Sequence, residues 1–188
     1  MATPKETVTF DVHDAKVQPL LTDTAGGSAT YAVAVDVPGI AQVSLDPEFI
    51  TAELKGDART IARKGKTGSF NVSATYSVMS MDVLKVLYGG TVTPEVAPES
   101  VHWILEGDNS VPYFLLSFLI DDLSTGIGSL HVSLYKAQVT GGSLFDQSTD
   151  EFGQRSFQVS AIPTLATDEI IKVEMFTAQT PLPTAAIP

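Results

Sequence analysis

The chain has 188 residues, 44% of them hydrophobic, and 22 acidic against 11 basic side chains give it a formal net charge of −11. That length holds one substantial core rather than two large domains, and the absence of cysteine excludes disulfide frameworks, zinc thiolate sites, iron–sulfur clusters and thiol nucleophiles. The acidic balance argues against tight binding to a phosphate backbone, where affinity comes mostly from lysine and arginine displacing counterions.

Residues 1–10 are mixed and polar, lack the basic segment and apolar run of a secretory signal, and read as the start of the mature chain. Residues 7–12 and 15–21 read as an opening strand or pair of strands, followed by a glycine-containing turn over 22–30. Residues 31–35 alternate, Val37, Pro38 and Gly39 interrupt them as a type II turn or bulge, and strands follow at 40–45 and 49–54. Residues 55–66 carry turn formers at Gly56, Asp57 and Gly65 around a short β-prone centre and read as a protruding hairpin. Five of the eleven basic residues, Lys55, Arg59, Arg63, Lys64 and Lys66, fall in it. Two readings stand side by side: a solvated hairpin, or a docking arm for an acidic face of a neighbouring copy.

From 70 to 78 the alternation is strict, with Phe70, Val72, Ala74, Tyr76 and Val78 on one parity and Asn71, Ser73, Thr75 and Ser77 on the other. This is a half-buried antiparallel strand with one wet, uncharged face. Ser80 is a helix N-cap with Asp82 in the first turn; Val83, Leu84, Val86 and Leu87 form an apolar stripe, and Gly89 and Gly90 end the helix. Residues 91–98, with two prolines, read as a surface linker between two β halves. Further strands are expected at 100–105, 113–120, 129–139, 152–162 and 170–176, separated by a turn at 107–109 and loops over 121–128 and 140–150. The longest apolar run, 111–120, is broken by Pro112 and Ser117 and is about half the length of a spanning helix, so it reads as a core strand. The tail, 180–188, has three prolines and no charge and should be extended, either disordered or laid over another subunit. The spacing throughout is that of an all-β chain.

Candidate chemical sites are few. Asp11, His13 and Asp14 are metal-ligand types, but Asp14 is on the opposite strand parity from the other two and no partner spacing closes a site. His102 and His131 lie inside strand patterns and do not read as a catalytic pair. The pairs Asp121–Asp122 and Asp150–Glu151 sit in turns, where solvated strand-end charge is the ordinary reading and a glycosidase or calcium site the sharper one. Trp103, Tyr113 and Phe114 suit either a sugar-stacking platform or core filling, with core filling favoured. No nucleophile elbow, phosphate loop, dinucleotide fingerprint or zinc-hydrolase arrangement occurs. The chain therefore reads as non-enzymatic, without cofactor or metal.

The stretch 45–90, a half strand, a basic hairpin, the strand 68–78 and then 80–90, resembles the tail tube proteins of tailed bacteriophages. In that family a strand with small polar alternate residues enters a helix of the form Met81-Asp82-Val83-Leu84-Lys85-Val86-Leu87-Tyr88-Gly89-Gly90. Residues 153–163 and 168–176 resemble its closing β segment, so the likeness covers about two thirds of the chain. It is nearer to the long flexible, non-contractile (siphovirus) type.

The resemblance implies a β-sandwich of two packed antiparallel sheets with one short flanking α-helix, a single domain over 1–178 and an extended tail over 179–188. It implies homohexameric rings that stack head to tail into a virion tail tube, with edge strands paired across the ring. The implied partners are the chain itself, a tape measure protein and tail initiator and terminator proteins. DNA passes through the acidic lumen without tight binding, no segment inserts into a membrane, and subunits wait in the host cytoplasm before assembly. Asn71, Ser73, Thr75 and Ser77 would face the lumen or a polar interface, and Lys55, Arg59, Arg63, Lys64 and Lys66 would form the inter-ring loop. The alternatives are a monomeric β-sandwich binding module for carbohydrate or a partner, or another ring-forming virion protein such as a tail terminator or decoration protein.

Overall fold

The computed structural model describes residues 9–56, 59–78, 80–97, 99–122, 128–146 and 153–187. In chain order its elements are β1 (Thr9–Asp23), β2 (Ala29–Tyr31), β3 (Val35–Asp36), β4 (Ile40–Gly56), β5 (Arg59–Tyr76), α1 (Met81–Tyr88), β6 (Thr91–Val96), β7 (Glu99–Ile104), β8 (Phe114–Asp122), β9 (Gly128–Asp146), β10 (Gln154–Ala161) and β11 (Ile171–Phe176). Nine of the strands form one antiparallel sheet in the order β2-β1-β8-β9-β10-β5-β4, with β3 on β1 and β11 on β9.

One long strand lets this sheet fold into two layers. The first part of β9 pairs with β8 on one side and β11 on the other, and its last part pairs with β10. Between these parts the register slips: Leu116 faces Leu134, but Phe114 faces Ala137. The extra residue is a bulge, which bends a strand and reverses its side-chain parity. Both Leu134 and Ala137 therefore point into the core, while Lys136 is buried on the opposite side.

The two layers, β1-β8-β9-β11 and β9-β10-β5-β4, enclose one apolar core, which makes the fold an all-β sandwich. Val72, Ala74 and Tyr76 of β5 oppose Val159, Phe157 and Arg155 of β10 in register. They meet Ala15 and Val17 of β1 and Phe114, Leu116 and Phe118 of β8 in a single cluster. Each of the fully buried phenylalanines contributes about 1.5–3 kcal/mol relative to an exposed side chain. Helix α1 closes one end with Val83, Val86 and Leu87, is started by the Ser80 hydroxyl accepting from the Val83 amide, and ends where the Gly89 amide donates to the Lys85 carbonyl. No helix among the described residues is long and apolar enough to cross a membrane.

Three sequence expectations need correction. Residues 91–96 are not a linker but strand β6, which pairs with β7 as a separate two-stranded ribbon; a ribbon with free edges tolerates Pro94, which a central strand would not. The ribbon is fixed to the helix end by Trp103, whose Nε1 donates to the Gly89 carbonyl at 2.9 Å and whose ring packs edge-on against Tyr88. Residues 140–146 are strand rather than loop. Gly142, at φ 135°, brings its Cα so close to β10 that a Cβ there would lie 2.3 Å from the Ser156 carbonyl oxygen, so glycine is needed inside the strand. The tail, finally, lies on its own chain. Ile187 exchanges both backbone hydrogen bonds with Tyr31, Thr184 accepts from the Ala34 amide, Ala185 accepts from the Gln18 side chain, and Thr180 accepts from His131 Nε2. It crosses the outer face of β1-β8-β9, where Leu115, Leu119 and Leu182 are all nearly inaccessible. An apolar outer face on β8 demands such a cover.

Candidate functional site

The layer β9-β10-β5-β4 presents to solvent a polar face, at one end of which the Glu48 carboxylate accepts from Ser69 and Asn71. On β5, Asn71, Ser73 and Thr75 share the outer parity, and they stand opposite Asp46, Ser44 and Gln42 of β4. On the other side the same residues face Ser160, Gln158 and Ser156 of β10. These continue into Gln138, Gly141 and Ser143 of β9. Asp46 is the one ionisable group among these register partners. Ser77 lies just past the strand end, where its amide and hydroxyl both bond the Gly39 carbonyl and hold the turn before β4.

Among the described residues, neither border of this layer carries a further hydrogen-bonded strand along its length. Among the described residues β4 pairs in a ladder only with β5. β8 leaves β9 at Ala137, so residues 138–146 of β9 pair with β10 alone among the described residues. The four strands alternate in direction, so the free border of β4 runs antiparallel to the free border of β9. A second copy placed alongside can therefore continue the sheet without reversing its hand or its polar face.

The β4–β5 hairpin runs beyond the core. Its register continues to Gly56 opposite Arg59, with a slip at Glu48–Phe49. The expected 55–66 hairpin is thus the outer part of an arm that reaches from about residue 48 to 66. Phe49 and Ile50 are 63% and 64% exposed there. Arg63 Nε donates to Glu53 Oε1 at 2.8 Å, and Lys55 Nζ lies 3.7 Å from the other oxygen of that carboxylate. Lys64 and Lys66 stand on the opposite face, across from Ala52 and Ile50, with no acidic partner among the described residues. Arg59 opens β5.

The remaining candidates are occupied by structural roles. Lys16 Nζ lies 3.0 Å from Asp14 and 3.5 Å from Asp36, so an ammonium neutralises the acids next to His13. Burial, the hydrogen bond that a protonated Asp36 can donate to Asp14, and the negative charge of Asp14 push the Asp36 carboxyl up from its ordinary value, against the pull of Lys16. No group of three His, Asp or Glu side chains among the described residues is placed to hold a metal ion. His102 is exposed beside Glu95 at 2.8 Å, and His131 is buried against Phe176, so the two histidines serve different elements. Phe114 is in the core, Tyr113 lies under the Lys136 ammonium, and Trp103 anchors the ribbon, so these three build no platform. Asp150 and Glu151 lie outside the described residues. Sequence reading missed the contribution of β10 to the polar face, although Ser156, Gln158 and Ser160 alternate with Phe157, Val159 and Ala161 as plainly as the residues of β5 do.

No protein-family model matches the chain, and no curated protein matches it in sequence. Among solved structures it is similar to a cryo-EM structure of the anti-feeding prophage cap, the AFP tube terminating cap, with a TM-score of 0.44 and 12% identity over 93% of this chain and 94% of that chain.

Proposed function

We propose that the chain is a structural subunit that polymerises into a phage tail tube. One observation carries the reading: a four-stranded antiparallel layer, with a polar face whose charged groups Asp46 and Glu48 are both acidic, has two borders of opposite direction that carry no further ladder among the described residues. Open strand borders are unpaired backbone donors and acceptors, and a soluble protein normally blunts or covers them. Pairing the β4 border of one copy with the β9 border of the next is heterologous, and heterologous contacts close into rings when the rotation per copy divides a full turn. The polar face then becomes a continuous inner wall, and the arm projects along the axis toward the next ring. This agrees with the resemblance of residues 45–90 to tail tube proteins, which implies homohexamers and a non-contractile tail.

A wall of Ser, Thr, Asn and Gln with the acids Asp46 and Glu48, in a subunit of net charge −11, offers passing DNA no lysine or arginine to displace its counterions. The work of the chain is then conduction rather than catalysis. Negative-stain electron microscopy with light scattering over a concentration series tests the reading. Hollow tubes of stacked rings are expected. Closed rings that never lengthen would move the assignment to another ring-forming virion protein, and a strict monomer at every concentration, alone or seeded with preformed tail tips, would overturn it.

A further inference from the structure

We infer that the β6–β7 ribbon of one copy is the receptor for the β4–β5 arm of the next copy along the tube, an inference that rests on the tube reading. Charge carries it first. Residues 91–112 hold Glu95, Glu99, Glu106 and Asp108 and no lysine or arginine, whereas residues 48–66 hold five basic against three acidic residues in a chain that is acidic elsewhere. Opposite charge on two protrusions steers their encounter and fixes register.

The apolar pattern matches the charges. On one face of the ribbon Pro94 stands opposite Val101 and Val96 opposite Glu99, with Val96 91% and Val101 50% exposed. On one face of the arm Ile50 stands opposite Lys66 and Ala52 opposite Lys64. Each face thus joins exposed aliphatic side chains to charge that has no ion-pair partner among the described residues, acidic on the ribbon and basic on the arm. Laid together, the aliphatic groups leave water and Glu99 meets Lys64 or Lys66.

Topology makes this contact intermolecular. The ribbon is rooted through α1 and Trp103 at the Tyr76 end of β5, and the arm is the Arg59 end of the same 18-residue strand. The arm residues of the contact, Lys66 and Lys64, stand ten to twelve residues from Tyr76 along this strand, about 32–41 Å at 3.2–3.4 Å per residue, whereas a six-residue ribbon spans about 20 Å. The two cannot meet in one copy, but copies stacked head to tail bring the arm of one to the ribbon of the next.

The test uses the absence of cysteine. A variant carrying Lys64→Cys and Glu99→Cys, assembled and then oxidised, should give a ladder of covalent oligomers on a non-reducing gel, and each single variant should give none beyond a dimer. In parallel, Lys64→Glu with Lys66→Glu should lose tubes, Glu99→Lys should lose tubes, and the three changes together should regain them. All sites are exposed, and circular dichroism of the monomers checks folding. Tubes without a ladder and without rescue overturn the contact and leave the tube reading standing; a wild-type chain that forms no rings or tubes overturns both.

Discussion

Asp23 and Lys136, 113 residues apart in sequence, form an ion pair of 2.6 Å between side chains that are only 6% and 11% exposed. The same carboxylate accepts from the backbone amides of Leu165 and Ala166, so one acid ties the end of β1 to the bulge of β9 and to the loop before β11. Asp23→Asn leaves the Lys136 ammonium without its counter-charge in a nearly closed site and should cost about 3–5 kcal/mol. Adding Lys136→Met should recover most of that loss, read as the midpoint of urea unfolding followed by Trp103 fluorescence.

The pH dependence follows from the same carboxylate. Burial alone would raise its pKa, but the hydrogen bond from Lys136 and the two backbone amides outweigh it and hold the group below the ordinary value of 3.8. A depressed native pKa gives stability that is present above the unfolded value and lost as pH falls through the native one. The wild type should therefore lose stability steeply below about pH 4, and the Asp23→Asn/Lys136→Met protein should show a shallower slope there. Equal slopes in a pH series of urea melts would remove Asp23 from the account.

Leu182 is 3% exposed in a tail that is otherwise mostly open to solvent. Leu182→Ala should destabilise the chain by about 2–3 kcal/mol, whereas Thr184→Ala, which keeps the backbone acceptor for Ala34, should stay within about 0.5 kcal/mol of wild type. Thermal melts of the two variants make the comparison.

Gly142→Ala puts a methyl group against the Ser156 carbonyl at a positive φ. The strain should cost about 1–3 kcal/mol and, because it displaces the border of β9, should also slow ring closure. Chemical denaturation and scattering on one preparation separate the two effects.

Reversing Arg59, Arg63 and Lys64 to glutamate should abolish tubes while leaving a folded monomer, since the arm lies outside the core. Normal tubes from the triple variant, seen by electron microscopy, would remove the arm from assembly. By contrast, lysine at Asn71, Ser73 and Gln158 should permit assembly but retard DNA, because each added cation gains counterion-release affinity for phosphate. DNA ejection rates from reconstituted virions give the readout.

What was legible in the sequence was local. The alternation of 70–76 marks a half-buried strand because side chains repeat every two residues, and Ser80 with the stripe Val83, Leu84, Val86 and Leu87 marks a short helix. Two local signals misled. Pro94 suggested a linker because proline is rare in central strands, and Gly141–Gly142 suggested a loop because the close approach of Ser156 that demands glycine is made across the ladder by the following strand, β10. The polar face of β5 could be seen, but its open borders could not, since they depend on which strand stops where: β8 leaving β9 at Ala137 has no signature in either segment. The Asp23–Lys136 pair was invisible for the same reason.

The proposed contact of arm and ribbon joins opposite charges, whereas the borders of the polar layer offer mainly backbone groups. Ionic strength should therefore act on the two contacts in opposite senses. At about 1 M salt the screening length falls to about 3 Å, which weakens attraction between arm and ribbon but also relieves repulsion among subunits that each carry −11. Concentrated salt should break tubes into intact rings rather than monomers, and dialysis should stack them again.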